Sequence, residues 1–259
     1  LNKKIPVFAM EKEGVLGKIF DRVVALTGYK DINFEMYPGF SKKFLLMGNS
    51  ETEIRSFFTD EIIPIPIPQR KGDVLWFTND EFPKKQTTIE KLSGLRPAFR
   101  SNGTVTAGNA SGLNDGAAVL LIGSEEGCAL AGKNPLSRIL SAAVSGVAPR
   151  IMGIGPVEAS KKALSRAGLS LDQMDIIEIN EAFSAQVLAC TRALGLSDKD
   201  PRINPNGGAI SLGHPLGMTG ARILLTASRQ LKATGKRYAL VTMCIGVGQG
   251  YATVLENAS

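Results

Sequence analysis

Apolar and polar positions change their rhythm along this chain. From Gly103 onward they resolve into short apolar runs alternating with amphipathic stretches. Gly116–Gly123 is a continuous apolar run, which predicts a buried strand. Glu125–Gly132 predicts a short helix and Leu136–Ser145 a second strand. Proline opens a helix over Pro156–Ala167, with Lys161, Lys162 and Arg166 toward its C-terminal half, where cations suit the helix dipole. Met174–Ile179 predicts a strand with Ile176-Ile177-Glu178-Ile179 as its core, and Ala182–Leu194 a helix. Over Gly217–Thr234, Ile223, Leu224, Ala227 and Leu231 fall on one face of a long helix. Arg237–Met243 and Gln249–Leu255 predict two final strands. Strands alternating with helices predict a layered α/β domain. No internal repeat is visible.

Upstream the pattern differs. Residues 1–50 hold Tyr29, Tyr37 and five phenylalanines, with few alanines. Ile5–Met10 and Asp31–Met36 predict strands, and Gly17–Leu26 a short helix. Pro64, Pro66 and Pro68 stand at alternate positions, which forbids a central strand and predicts an extended connector over Phe57–Pro68. Gln69–Asp73 predicts a polar turn. Glu81–Ser101 is charged and predicts a surface segment.

Composition narrows the function class. The chain has 259 residues, enough for one large or two small domains, and 44% of them are hydrophobic. No run of eighteen apolar residues predicts a membrane span. The opening Leu1-Asn2-Lys3-Lys4, followed by charges at Glu11, Lys12 and Glu13, does not match a signal peptide. Cys128, Cys190 and Cys244 are too few for a disulfide framework and lack metal-ligand spacing. A reducing, cytoplasmic setting and no bound metal are expected. The net charge of +6 is spread along the chain, and no basic stripe interleaved with aromatics predicts nucleic acid binding. A mild positive excess suits an anionic substrate as well as it suits plain solubility.

Candidate chemistry concentrates in two glycine-rich stretches. His214, the single histidine, sits in Asn204-Pro205-Asn206-Gly207-Gly208-Ala209-Ile210-Ser211-Leu212-Gly213-His214-Pro215-Leu216-Gly217. Cys244 sits in Cys244-Ile245-Gly246-Val247-Gly248-Gln249-Gly250. Imidazole suits proton transfer near neutral pH, and a thiol is a natural partner when its thiolate is stabilised. A lone histidine is more often structural, and a free cysteine is usually a buried apolar group. Glycine, however, is tolerated where φ is positive or where a ligand approaches the backbone. Two such loops, one with the imidazole and one with a thiol, predict two walls of one cleft. Cys128 and Cys190 lie in helical stretches and read as packing residues.

Four motifs in order carry a specific resemblance. They are Gly108-Asn109-Ala110-Ser111-Gly112-Leu113-Asn114-Asp115-Gly116, then Asn180-Glu181-Ala182-Phe183, then Gly207–Pro215, then Cys244-Ile245-Gly246. Together they resemble the thiolase family, over a stretch from about Phe57 to Glu256. The wording Ala148-Pro149-Arg150-Ile151-Met152-Gly153 and Asn204-Pro205-Asn206 most resembles thiolases of the β-ketoadipyl-CoA type. The resemblance implies a thiolase-like layered fold, a mixed five-stranded sheet flanked by helices, mostly its C-terminal half. It divides the chain into a non-matching 1–50, a loop-region remnant and connector over 51–102, and a thiolase C-terminal domain over 103–259. It implies acyl transfer between coenzyme A thioesters without a further cofactor, and a homodimer or higher homo-oligomer.

By the same resemblance His214 activates the nucleophilic thiol, and Cys244 moves the α-carbon proton. Gly246 offers a backbone N–H to an oxyanion, and Asn180 holds a water there beside the histidine. Ser111 matches a pantetheine contact, and Phe183 and Met152 match apolar walls of the pantetheine tunnel. Asn180 also reads as a helix cap, Glu181 as a first-turn carboxylate, and Met152 as core. The pattern departs from the family in one essential part. Thiolases carry a nucleophilic cysteine in their N-terminal half, and no cysteine precedes residue 128 here. Phe44-Leu45-Leu46-Met47-Gly48 likewise lacks a histidine found there in the family. Three readings follow: a thiolase, an inactive fragment or non-catalytic acyl-CoA binder, and a ketoacyl synthase-like condensing enzyme. The Cys244-Ile245-Gly246 motif and the single histidine favour the first over the last.

Overall fold

The structure is a computed structural model, and it describes residues 65–77 and 80–258. The strands expected at Ile5–Met10 and Asp31–Met36, and the helix expected at Gly17–Leu26, lie outside the described residues. The chain divides into two compact units. Phe82–Leu120 and Ser124–Ser259 form one, and it carries every candidate site residue. The other contains an antiparallel ribbon of β1 (Ile65–Ile67) and β2 (Leu75–Phe77), with Pro66 opposite Trp76. The proline run is therefore paired as well as extended. A two-stranded ribbon has two edges and no centre, so proline is tolerated there.

The larger unit begins with two short helices. Thr88 caps α1 (Ile89–Ser93), its hydroxyl accepting from the Lys91 N–H, and Ser124 caps α2 (Glu125–Leu130) through the Gly127 N–H. The sheet then forms from β3 (Ser137–Gly146), β4 (Ile176–Ile179), β5 (Tyr238–Ile245) and β6 (Gln249–Asn257). Its order is β3-β6-β5-β4. β6 is antiparallel to both neighbours, while β4 and β5 are parallel, so the sheet is mixed. The helices are α3 (Gly155–Ala167), α4 (Ser184–Ala193), the single turn α5 (Ala209–Leu212) and α6 (Thr219–Thr234). A 3₁₀ segment, Pro149–Ile154, leads into α3.

Two apolar clusters hold the layers together. On one face Ile177, Ile179, Leu240, Ala252 and Val254 pack against Ala159, Ala163 and Leu164 of α3. On the other, Ile176, Ala239, Val241 and Leu255 pack against Ile223, Ala227 and Leu231 of α6. Strand side chains alternate, so Glu178 and Asn180 share the α6 side with Ile176. Layers meet most closely where α3 starts. A Cβ on Gly250 would overlap the backbone of Gly155, and one on Gly155 would overlap the Gln249 backbone. Two glycines therefore let the helix start sit directly on the strand.

Of the five strands expected after Gly103, four form. Gly116–Gly123 contains no strand, and Val119, Leu121 and Ile122 are exposed. The four-stranded sheet ends at β3 and β4, and this run pairs with neither edge. Apolar character favours burial, but a strand also needs a neighbour to satisfy its backbone groups.

Candidate active site

Asn180 is the first residue beyond β4, and its backbone N–H donates to the Thr242 carbonyl of β5 at 3.0 Å. The parallel pairing thus runs to the point where the side chain is needed. Asn180 is 1% exposed. Its Nδ2 lies 3.3 Å from His214 Nε2, and its Oδ1 is buried without a hydrogen-bond partner.

His214 is held from several sides. Its backbone N–H points to the Gly112 carbonyl and to Asn114 Oδ1, each at 3.1 Å. Gly213 before it has φ 100°, and a Cβ there would strike the Asn114 amide at 2.5 Å. The first and third motifs are therefore pressed together at a point that requires glycine. On the ring, Nδ1 lies 2.8 Å from Thr219 Oγ1. The Thr219 hydroxyl donates its one proton to the Pro215 carbonyl at 2.9 Å. Its oxygen can then only accept, so Nδ1 carries the ring proton and donates to it. The Nε2 lone pair faces Asn180 Nδ2, which donates. Burial first, and the Arg222 charge second, push the imidazole below its ordinary range. A neutral ring with its lone pair at Nε2 can take a proton from a thiol or hydroxyl group.

The neighbouring carboxylates do different work. Glu181 reaches across to the His214 loop, accepting from Asn204 Nδ2 at 2.7 Å and from the Ile210 N–H at 3.1 Å. A Cβ on Gly208 would overlap the Glu181 carboxylate. Asn204 in turn bonds both backbone groups of Ile179, through Oδ1 and Nδ2, each at 2.8 Å. Glu181 thus ties two motifs together instead of serving as a first-turn carboxylate. Glu178 is 1% exposed, and burial pushes its carboxyl up to about 8. Arg222 on α6 draws it back down and Glu181 adds to the rise. The sequence reading did not single out Thr219, Asn114, Asn204, Glu178 or Arg222. Asn114 and Asn204 lay inside quoted motifs, while Thr219 and Arg222 carry no local mark.

Cys244 is the penultimate residue of β5, just beyond Thr242, which pairs with Ile179 at the end of β4. It is buried, and burial pushes its thiol up. Alternation places it with Leu240 on the α3 side, and no hydrogen bond joins it to His214 among the described residues. Gly246 follows in the turn to β6, where Val247 and Gly248 take φ 68° and 92°. Open space lies where a Cβ of Gly246 would stand, whereas one on Gly248 would overlap the Val147 carbonyl. Cys190 is fully buried in α4, its thiol pushed up to about 11 by burial, and Sγ donates to the Gly153 carbonyl at 3.2 Å. That is a packing residue, as expected. Cys128 lies in α2.

The residues expected to line a pantetheine tunnel gather around the start of α4. Ala110 bridges Phe183 in a short antiparallel contact. The Ser111 N–H and hydroxyl both donate to the Ala182 carbonyl, at 3.0 and 3.2 Å. Phe183 meets Phe99 edge to face, with centroids 6.1 Å apart. Met152 is half-buried in the 3₁₀ segment that packs against α4. An open groove of about 430 Å³ lies beside His214, lined by Asn114–Ala118 and Pro215–Met218.

A family model described as thiolase, N-terminal domain, matches residues 49–126, and one described as thiolase, C-terminal domain, matches residues 133–257. The 3-oxoadipyl-CoA/3-oxo-5,6-dehydrosuberyl-CoA thiolase of Escherichia coli is 53% identical over 208 residues, 80% of this chain and 52% of that protein. The β-ketoadipyl-CoA thiolase of Pseudomonas aeruginosa is 55% identical over 201 residues, 78% of this chain and 50% of that protein. The crystal structure of human mitochondrial 3-ketoacyl-CoA thiolase in complex with CoA superposes with a TM-score of 0.70 at 45% identity, covering 80% of this chain and 50% of that one. The chain spans about half the length of the relatives it matches. With both family domains matched in order and the fold shared, the chain belongs to the thiolase family.

Proposed function

We propose that this chain carries the acid–base half of a thiolase site, acting on coenzyme A thioesters. The Asn180–His214 pair supports this reading most strongly: a neutral imidazole whose Nε2 lone pair meets only the Asn180 amide, at 3.3 Å, and an amide that keeps an unpartnered oxygen. In thiolytic cleavage the nucleophilic thiol gives its proton to Nε2, and sulfur attacks the 3-keto carbon. The C2–C3 bond breaks, and Cys244 returns a proton to C2, releasing acetyl-CoA. The enzyme-bound acyl group then passes to free coenzyme A. The Gly246 backbone N–H meets developing oxyanion charge, and Asn180 holds a water there beside His214. Ser111, Met152 and Phe183 line the path of the pantetheine arm. The relatives' names point to β-ketoadipyl-CoA as the substrate. The protein acts in the cytoplasm as a homodimer or higher homo-oligomer; among the described residues no helix is long and apolar enough to cross a membrane.

The nucleophile is the missing part. Cys190 is sealed in α4 and Cys128 lies in α2. Neither makes a hydrogen bond to His214 among the described residues. The expected outcome is no coenzyme A-dependent cleavage of 3-ketoadipyl-CoA or acetoacetyl-CoA by a sample of verified mass. Robust release of acetyl-CoA from that sample would overturn this reading.

A further inference from the structure

Thr219 and Arg222 stand one turn apart at the start of α6, on the side that faces His214 and β4. Neither belongs to the motifs that carry the acid–base chemistry. Thr219 is fully buried, and its hydroxyl spends its proton on Pro215, leaving a lone pair for Nδ1–H. Arg222 has Nε and one Nη buried without hydrogen-bond partners. It forms no ion pair among the described residues. The charged and titratable groups around it are Glu178 on β4, Glu181 after β4, and His214 itself. Glu178 and Glu181 both act on the guanidinium charge, and neither is hydrogen-bonded to it.

A cation beside a base opposes a second positive charge there. A hydroxyl that can only accept fixes which ring nitrogen bears hydrogen. We propose that Thr219 and Arg222 are positioning residues for His214, Thr219 selecting the tautomer with its lone pair at Nε2 and Arg222 keeping the ring uncharged. This rests on His214 being the base of the site. Its consequence is chemical: imidazole with the proton on Nε2, or imidazolium, could not accept the proton of a thiol at that edge.

The single histidine makes a direct test possible. In the ¹⁵N-labelled 259-residue chain, long-range ¹H–¹⁵N correlations of the imidazole come from one ring. The wild-type chain should show the proton on Nδ1 and a midpoint below the ordinary histidine range. A proton on Nε2 overturns the role of Thr219, and a midpoint at or above the ordinary range overturns that of Arg222. Thr219→Val should shift the tautomer toward Nε2–H, and Thr219→Ser should restore it. Arg222→Met should raise the midpoint, and Arg222→Lys should keep it low. A Thr219→Val or Arg222→Met chain with wild-type amide spectra and an unchanged ring refutes the corresponding half. If either variant fails to fold, the wild-type reading still decides. The ring signals need no substrate, so failure of the thiolase reading would appear in turnover and leave them intact.

Discussion

Glu178 shows how a site residue is set by its surroundings. A carboxyl in the middle of a fully buried strand gives up its proton reluctantly, and here it does so near pH 8 instead of 4.5. The folded chain then holds a proton that the unfolded chain releases between those values. A raised folded value means that stability is fully present below about pH 4.5 and falls as pH rises toward 8. The loss approaches about 1.4 kcal/mol per pH unit, on the order of 5 kcal/mol across the window. Glu178→Gln keeps the neutral shape, so it should lack the part of the decline that this carboxyl causes in the wild type. Urea unfolding at pH 5 and pH 8 checks this, and parallel declines would contradict it. His214 acts with the opposite sign: its lowered value removes stability as pH falls through the ordinary histidine range. It is common to both chains and cancels in the comparison. The motif residues His214, Cys244 and Asn180 stood out in the sequence because glycines crowd them or a strand end precedes them. Glu178 and Thr219 did not. An acid in a strand and a threonine in a first helical turn look ordinary until tertiary packing buries the one and sets the other against the imidazole.

Most elements were legible because their periods were clean. The one-sided apolar stripe of Ile223, Ala227 and Leu231 gave α6, and the buried Ile176-Ile177-Glu178-Ile179 gave β4. Gly116–Gly123 was misread because an apolar run records a demand for burial and not the partner that meets it. Its Val119 is 76% exposed, close in sequence to the exposed Leu113, and Leu216 on the facing loop is 62% exposed. Uncovered apolar surface of this kind drives association. The chain should therefore sediment as a dimer or larger species at low micromolar concentration. Val119→Asp should shift it toward monomer. A clean wild-type monomer would remove the oligomer claim.

At the scale of the molecule, one mixed sheet with α3 and α6 on opposite faces sets Asn180 against His214 on its α6 side and Cys244 on its α3 side. β4 delivers Asn180, β5 delivers Cys244, and the glycine loop before α6 delivers His214. β4 and β5 run parallel, and β5 continues to Ile245, past the Thr242 partner of Ile179. On the proposed reading the described residues carry proton-transfer chemistry, while Cys190 is buried in α4 and Cys128 lies in α2. Proton transfer and acyl transfer are separable, because exchanging an α-carbon proton needs a base and oxyanion donors but no covalent intermediate. The most direct measurement is exchange of the acetyl C2 protons of acetyl-CoA in D₂O, followed by NMR. The wild-type chain should exchange them faster than buffer. The rate should climb with pH up to pH 9 without a plateau, because burial raises the Cys244 thiol above its ordinary range. Cys244→Ala should remove most of that excess, by about 100-fold or more. Exchange no faster than buffer, or exchange indifferent to Cys244→Ala, would contradict the assignment of Asn180, His214 and Cys244 as the acid–base half of a thiolase site.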